Sequence, residues 1–217
     1  MEDEYLLRRK IVEAFRYLES IGVNFGYSGN ISARLSEGEI LVSPSGARKS
    51  NLQPEELIVV DLSGRVVRGP GKPSVELPTH LAIYKARRDV NAIVHVHPVY
   101  ASVFAVLRED IPPVLEETVI YIGGEIRVAD YAPTGTAELG ERVVEALGDR
   151  SAVILANHGV IAVGRSIDEA VDIAVYVERA AKVYLLARLA GTPHYLPDAA
   201  YRTEREIYLQ RIKASLL

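Results

Sequence analysis

The chain contains no cysteine, no tryptophan and a single methionine. Without thiols, disulfides and thiolate zinc sites are excluded, so a transition metal can be held only by imidazole and carboxylate groups. No apolar run reaches the roughly 18 residues a membrane helix needs. The opening MEDEYLLRRK is charged and has no apolar stretch of the signal-peptide kind. These absences predict a cytoplasmic protein that meets no membrane. A basic stripe with interleaved aromatics is also lacking and the formal net charge is -4, so no nucleic-acid partner is expected and small-molecule chemistry is favoured. There are no internal repeats, low-complexity tracts or long linkers. Residues 1–217 therefore read as one domain, with 48% hydrophobic residues to build its core.

Periodicity places the elements. Leu6, Leu7, Ile11, Ala14, Phe15 and Leu18 recur at helical spacing, which predicts a helix over 3–21. The stretch GVNFGYSGNIS reads as a loop and EILVSPSG as a strand ending in a turn. ELIVVDLSGRVVRG carries a hairpin signal around Leu62–Ser63–Gly64. LPTHLAIYKARRDV reads as a helix with Pro78 in its first turn, AIVHVHP as a strand stopped by Pro98, and VYASVFAVL as a helix. GEIRVADY is a strand, and TAELGERVVEALG is a helix capped by Thr134 or Thr136 and stopped by Gly148. AVILANHGVIAVG is a pair of strands broken at Asn157–His158–Gly159. Helices over 167–190 and about 202–214 complete the chain. Hairpin-linked strands alternating with helices predict an α/β or α+β class with a largely antiparallel sheet.

Only five histidines occur, and two of them flank Val96 in NAIVHVHPVY. Side chains at i and i+2 of a strand share a face, so His95 and His97 can reach one ion while Val96 points the other way. His158, at the break between two apolar runs, is a candidate third ligand. Neutral imidazole suits Zn2+, which takes three or four nitrogen or oxygen ligands, and a carboxylate would complete the set. Glu76, at the entry to a helix, is a candidate for that place. An acid in a helix's first turn also has the plain role of complementing the helix dipole. His80, four residues later, reads as a partner placed behind the ligands. His194 lies in a Pro-rich loop and receives no role.

Taken in order, SGNISAR, VSPSG, VDLSG, KPSVELPTHLAIYKARRDVNAIVHVHP, GTAEL and NHGVIAVG resemble the class II aldolase/adducin family, with its L-fuculose-1-phosphate aldolase branch nearest. The resemblance implies a single three-layer αβα domain around a central, largely antiparallel sheet, assembled as a homotetramer with active sites at subunit interfaces. It implies Zn2+ bound by His95, His97 and His158, with Glu76 as an exchangeable fourth ligand and catalytic acid/base. It implies a phosphate site at Gly29, Asn30, Ser45, Gly46 and Ser74. Hydroxyl and amide groups with glycine-exposed N–H groups can hold a phosphate without much positive charge.

The implied activity is cleavage of a ketose 1-phosphate, such as L-fuculose 1-phosphate, to dihydroxyacetone phosphate and an aldehyde through a metal-stabilised enediolate. No Schiff base is required, so Lys49 and Lys72 receive no catalytic role. Two departures bear on the substrate. Val75 stands where the family has a second serine, and Glu116 and Glu117 stand where its aldolases offer a tyrosine to the neighbouring subunit. Glu117, with Tyr208 near the C-terminus, is a candidate proton donor. Alternatives on the same metal site are a pentulose-phosphate 4-epimerase and a methylthioribulose-1-phosphate dehydratase. An adducin-like non-catalytic interaction module is the alternative from another class.

Overall fold

A computed structural model describes residues 3–213. Its framework is an eight-stranded sheet. The strands are β1 (Asn30–Arg34), β2 (Glu39–Val42), β3 (Ile58–Asp61), β4 (Val66–Arg68), β5 (Ala92–Val96), β6 (Arg127–Ala129), β7 (Ala152–Leu155) and β8 (Val160–Gly164). Their spatial order is β4-β3-β2-β1-β5-β8-β7-β6. Every neighbouring pair is antiparallel except β6 with β7.

Six helices cover the two faces: α1 (Glu4–Ser20), α2 (Leu77–Ala86), α3 (Val99–Leu107), α4 (Ala137–Leu147), α5 (Ile167–Ala190) and α6 (Asp198–Lys213). The strand period of two divides the core. Ile31, Ala33, Leu41, Val59, Val94, Val96 and Ala162 pack with Leu7, Phe15, Phe104, Ile173 and Val177 of α1, α3 and α5. Ile40, Val42, Ile58, Val60, Ile93, Ile161 and Val163 pack with Leu81, Ile83, Leu139 and Val143 of α2 and α4. The result is the expected three-layer αβα arrangement.

Local chemistry sets the ends of the elements. Asp3 caps α1 by accepting from the Tyr5 amide, and Ser166 caps α5 by accepting from the Glu169 amide. Thr136, not Thr134, caps α4, its Oγ1 accepting from the Leu139 amide at 3.2 Å. Asp61 closes the β3–β4 hairpin by accepting from the Ser63 and Arg65 amides.

Three expectations need correction, and one element was not expected. Asn30, Ile31 and Ser32, read as loop, open β1, because pairing with both β2 and β5 outweighs their polar composition. Helix α2 ends at Ala86, before Arg87–Val90. Helix α6 starts at Asp198, earlier than expected, and residue 214 lies outside the described residues. Residues Thr118–Ile122, given no element from sequence, form one π-helical turn closed by Gly123 at φ 100°.

Candidate metal centre

The site sits where the end of β5 meets the turn entering β8. In β5, Ile93 and His95 face α2 and α4, while Val94 and Val96 face the other layer. Val96 is thus the core-facing spacer. His97 lies one residue past the strand, where Pro98 turns the chain into α3. Val96 pairs with Val160, so the turn just before β8 folds over the end of β5 and brings in His158. Asn157 takes the left-handed conformation there, with φ 56°.

Gly159 serves close approach. A Cβ at that position would stand 2.6 Å from the Val96 carbonyl oxygen, 2.9 Å from His97 Cδ2 and 3.1 Å from His95 Cε1. Gly29 does the same from the residue before β1, where a Cβ would meet the His95 carbonyl oxygen at 2.6 Å and φ is 77°.

The three imidazoles converge. Their ring centroids lie 4.8, 4.8 and 5.0 Å apart, and one ligand nitrogen from each falls within 4.8 Å of the others. His95 Nδ1 is 2.9 Å from the Val160 carbonyl oxygen, an acceptor only, so Nδ1 carries the proton and Nε2 presents a lone pair. His97 Nε2 lies 2.9 Å from that nitrogen.

Glu76, the residue before α2, supplies the oxygens. Its Oε2 is 3.2 Å from His95 Nε2 and its Oε1 is 3.6 Å from His158 Nε2. Oε2 is buried without a hydrogen-bond partner. One proton can bridge one pair of these acceptors, whereas a cation at their centre satisfies all of them. The donor set of three imidazoles and one carboxylate fits a divalent transition metal.

Electrostatics favour neutral rings at His97 and His158. Burial pushes His97 down to about 3, with the His95 and His158 rings acting in the same direction. His158 is lowered too, chiefly by burial. Burial alone would raise the Glu76 carboxyl, but His95, with help from His158 and His80, pulls it down to about 2. Glu76 is therefore a carboxylate at neutral pH, set at the positive end of α2. His80 is fully buried and bonds Ser32 Oγ through Nδ1 at 2.6 Å. Ser32 Oγ in turn lies 2.9 Å from the Tyr84 hydroxyl. Burial, reinforced by His95, lowers His80 to about 3.

The residues expected to hold phosphate lie on three adjoining segments. Pro44 and Pro73 form a bridge. The Ser45 amide donates to Lys72 O at 3.0 Å and the Ser74 amide to Ser43 O at 3.1 Å. This lays the Ser45–Gly46 turn beside Ser74, whose Oγ accepts from the Glu76 amide at 3.3 Å. The Ser43 amide donates to Ile31 O at 3.0 Å, which ties in Gly29 and Asn30. Asn30 is buried and its Oδ1 has no hydrogen-bond partner.

The expected proton donors do not join the cluster within one chain. The Tyr208 hydroxyl lies 2.9 Å from Ser151 Oγ and donates to Asp149 O at 2.7 Å, and the residue is 2% exposed. Ser151 precedes β7 and His158 follows it, so Tyr208 belongs to the far end of that strand. Glu117 pairs with Arg179 of α5 at 2.8 Å. Sequence reasoning missed one buried charge beside the segment that carries Ser45. Lys49, given no catalytic role from sequence, is buried with its Nζ donating to Pro44 O at 2.9 Å. Its setting in SGARKSN carries nothing that separates it from a solvated surface lysine.

A helix-sandwiched sheet that carries three convergent imidazoles and a buried carboxylate beside a serine- and glycine-rich turn defines a metal-dependent α/β enzyme site. Residues 9–185 match the Class II Aldolase and Adducin N-terminal domain family. A 5-methylthioribulose-1-phosphate/5-deoxyribulose-1-phosphate aldolase of Rhodospirillum rubrum is 37% identical over 207 residues, covering 95% of this chain and 91% of that protein. A 5-deoxy-D-ribulose 1-phosphate aldolase of Bacillus thuringiensis is 37% identical over 192 residues, covering 88% and 90%. A solved L-fuculose 1-phosphate aldolase superposes with a TM-score of 0.89 at 34% identity, covering 94% of this chain and 96% of the other. The chain belongs to the class II aldolase and adducin family, and its relatives place it with the metal-dependent aldolases, which are aldehyde-lyases.

Proposed function

We propose that this chain cleaves the C3–C4 bond of a ketose 1-phosphate to dihydroxyacetone phosphate and an aldehyde, using Zn2+ held by His95, His97 and His158, with Glu76 as an exchangeable fourth ligand. The observation that carries the reading is the convergence of three imidazoles and the ionised, buried Glu76 beside the Ser45–Gly46 turn and Ser74. A bound divalent cation supplies Lewis-acid stabilisation of negative charge on the substrate's oxygens.

The remaining chemistry falls to the chain's own groups. Gly29, Asn30, Ser45, Gly46 and Ser74 anchor the phosphate and so fix the carbon skeleton relative to Glu76. When C3–C4 breaks, its electron pair passes into an enediolate and the C4 hydroxyl proton leaves. Glu76 then delivers a proton to C3, and takes it back in the condensation direction. Its position next to His95 and His158 matches that task. Glu117, presented toward a neighbouring subunit of a cytoplasmic homotetramer, is our candidate for the proton at the aldehyde side.

The relatives named as aldolases of 5-deoxy and 5-methylthio pentulose 1-phosphates favour those substrates over L-fuculose 1-phosphate. The test is a panel of 5-deoxyribulose, 5-methylthioribulose and L-fuculose 1-phosphates with ribulose 5-phosphate, presented to zinc-loaded protein. We expect dihydroxyacetone phosphate from at least one ketose 1-phosphate, abolished by prolonged chelation and restored by zinc. Dehydration or C4 epimerisation with no dihydroxyacetone phosphate would overturn the reading, as would full turnover by metal-free protein.

A further inference from the structure

Lys49 is 3% exposed, an unusual place for a lysine, a residue almost never fully buried unless it is paired. Its backbone amide donates to Gly26 O at 2.9 Å, which fastens it under the loop leading to Gly29 and Asn30. Its Nζ lies 6.0 Å from the centre of the Phe15 ring and donates to Pro44 O at 2.9 Å. Pro44 is flanked by Ser43, which accepts from the Ser74 amide, and by Ser45 of the turn. The ammonium head thus sits beneath the point where the three serine-, glycine- and asparagine-bearing segments meet.

An ammonium has three donors, and among the described residues Lys49 has one hydrogen-bonded acceptor, a neutral carbonyl. Among the described residues no carboxylate forms a salt bridge with it; burial holds the ammonium below its ordinary value, and the Glu76 charge opposes that. A buried charge this poorly compensated is costly unless a counter-charge arrives. The other expected phosphate contacts, Gly29, Asn30, Ser45, Gly46 and Ser74, are all neutral. A phosphate monoester dianion seated among them would bring the missing negative charge within reach of the buried cation.

We propose that Lys49 is a phosphate-affinity residue: its ammonium, held by Pro44 O under the Ser45–Gly46 turn, provides the fixed positive charge of the sugar-phosphate subsite. This rests on the reading of the chain as a sugar-phosphate aldolase and adds a residue to it. The lysine acts on the phosphate end of the substrate and takes no part in bond cleavage. Its loss should raise KM and leave kcat close to that of the unaltered enzyme.

The test compares zinc-loaded full-length protein with its Lys49→Met variant, which keeps the aliphatic stem and removes the charge. Binding is measured for inorganic phosphate, dihydroxyacetone phosphate and unphosphorylated dihydroxyacetone. We expect phosphate and dihydroxyacetone phosphate to bind roughly 10- to 100-fold more weakly, with dihydroxyacetone affinity and zinc content unchanged. Equal weakening of the phosphorylated and unphosphorylated ligands, or no weakening, would overturn the proposal. If Lys49→Met does not fold, the Lys49 side-chain NMR resonances of the unaltered protein decide instead. They should shift saturably with added phosphate, and their standing still at saturation would overturn it. A different result addresses the functional reading: if the unaltered protein binds no phosphate and cleaves no ketose 1-phosphate, that reading falls, whereas normal binding by both proteins removes only the lysine.

Discussion

At the residue scale, Glu76 carries the sharpest expectation. It is buried, ionised and within 3.2 Å of His95. Glu76→Gln keeps the shape and removes the base. We expect zinc to be retained, as measured by metal analysis, and kcat to fall by roughly 10²- to 10⁴-fold. Near-normal turnover would take the proton transfer away from Glu76.

His80 makes a different statement, about stability. Its folded-state value of about 3 lies below the ordinary 6.5, so the unfolded chain binds a proton that the folded chain excludes between those limits. Stability from this group is therefore present above pH 6.5 and is lost as pH falls toward 3, by up to about 1.4 kcal/mol per pH unit where the difference is a full proton. In denaturant titrations of metal-free protein, His80→Gln should show a shallower fall across that window. An unchanged slope would mean that His80 is not held neutral.

At the element scale, the cluster depends on how tightly the turn entering β8 closes over β5. Gly159 permits that closure, since a Cβ there would fall within 2.6 Å of the Val96 carbonyl oxygen and 2.9 Å of the His97 ring. Gly159→Ala should therefore push the turn away and separate His158 from the other two rings. We expect zinc stoichiometry well below one per chain while circular dichroism stays native. Full zinc occupancy would show that the turn tolerates the methyl group. The glycine's role was only half legible in the sequence. Asn157–His158–Gly159 reads as a turn in which glycine relieves backbone conformation, yet Asn157 takes the positive φ and Gly159 makes room for rings. Sequence cannot show that distinction, because the atoms it spares belong to residues some sixty positions earlier.

At the scale of the whole molecule, several large apolar side chains are left in the open near the site. Val99, Val106 and Leu107 of α3 are 55%, 64% and 49% exposed, and Val75, next to Glu76, is 63% exposed. A monomer rarely leaves such a set uncovered. Light scattering should give the mass of four chains, and Val106→Glu should yield smaller species with reduced turnover. A fully active monomer would remove the neighbouring subunit from the site. No helix among the described residues is long and apolar enough to cross a membrane, so the exposed groups are not a spanning segment.

The sequence by itself determined most of the elements and narrowed the candidate metal donors. Period-two and period-3.6 patterns record which side of each element is buried, and a cysteine-free chain with few histidines leaves little choice of metal donors. Only the tertiary structure decided what depends on distant segments meeting. It made a strand of Asn30–Arg34 by pairing it on both sides, and it fixed the His95 tautomer through Val160 O. It also drew Tyr208 to Asp149 and Ser151 and buried Lys49 beneath Pro44. A residue's neighbours in sequence set its periodicity and capping, but its burial and charge partners are set by chain crossings that no local pattern records.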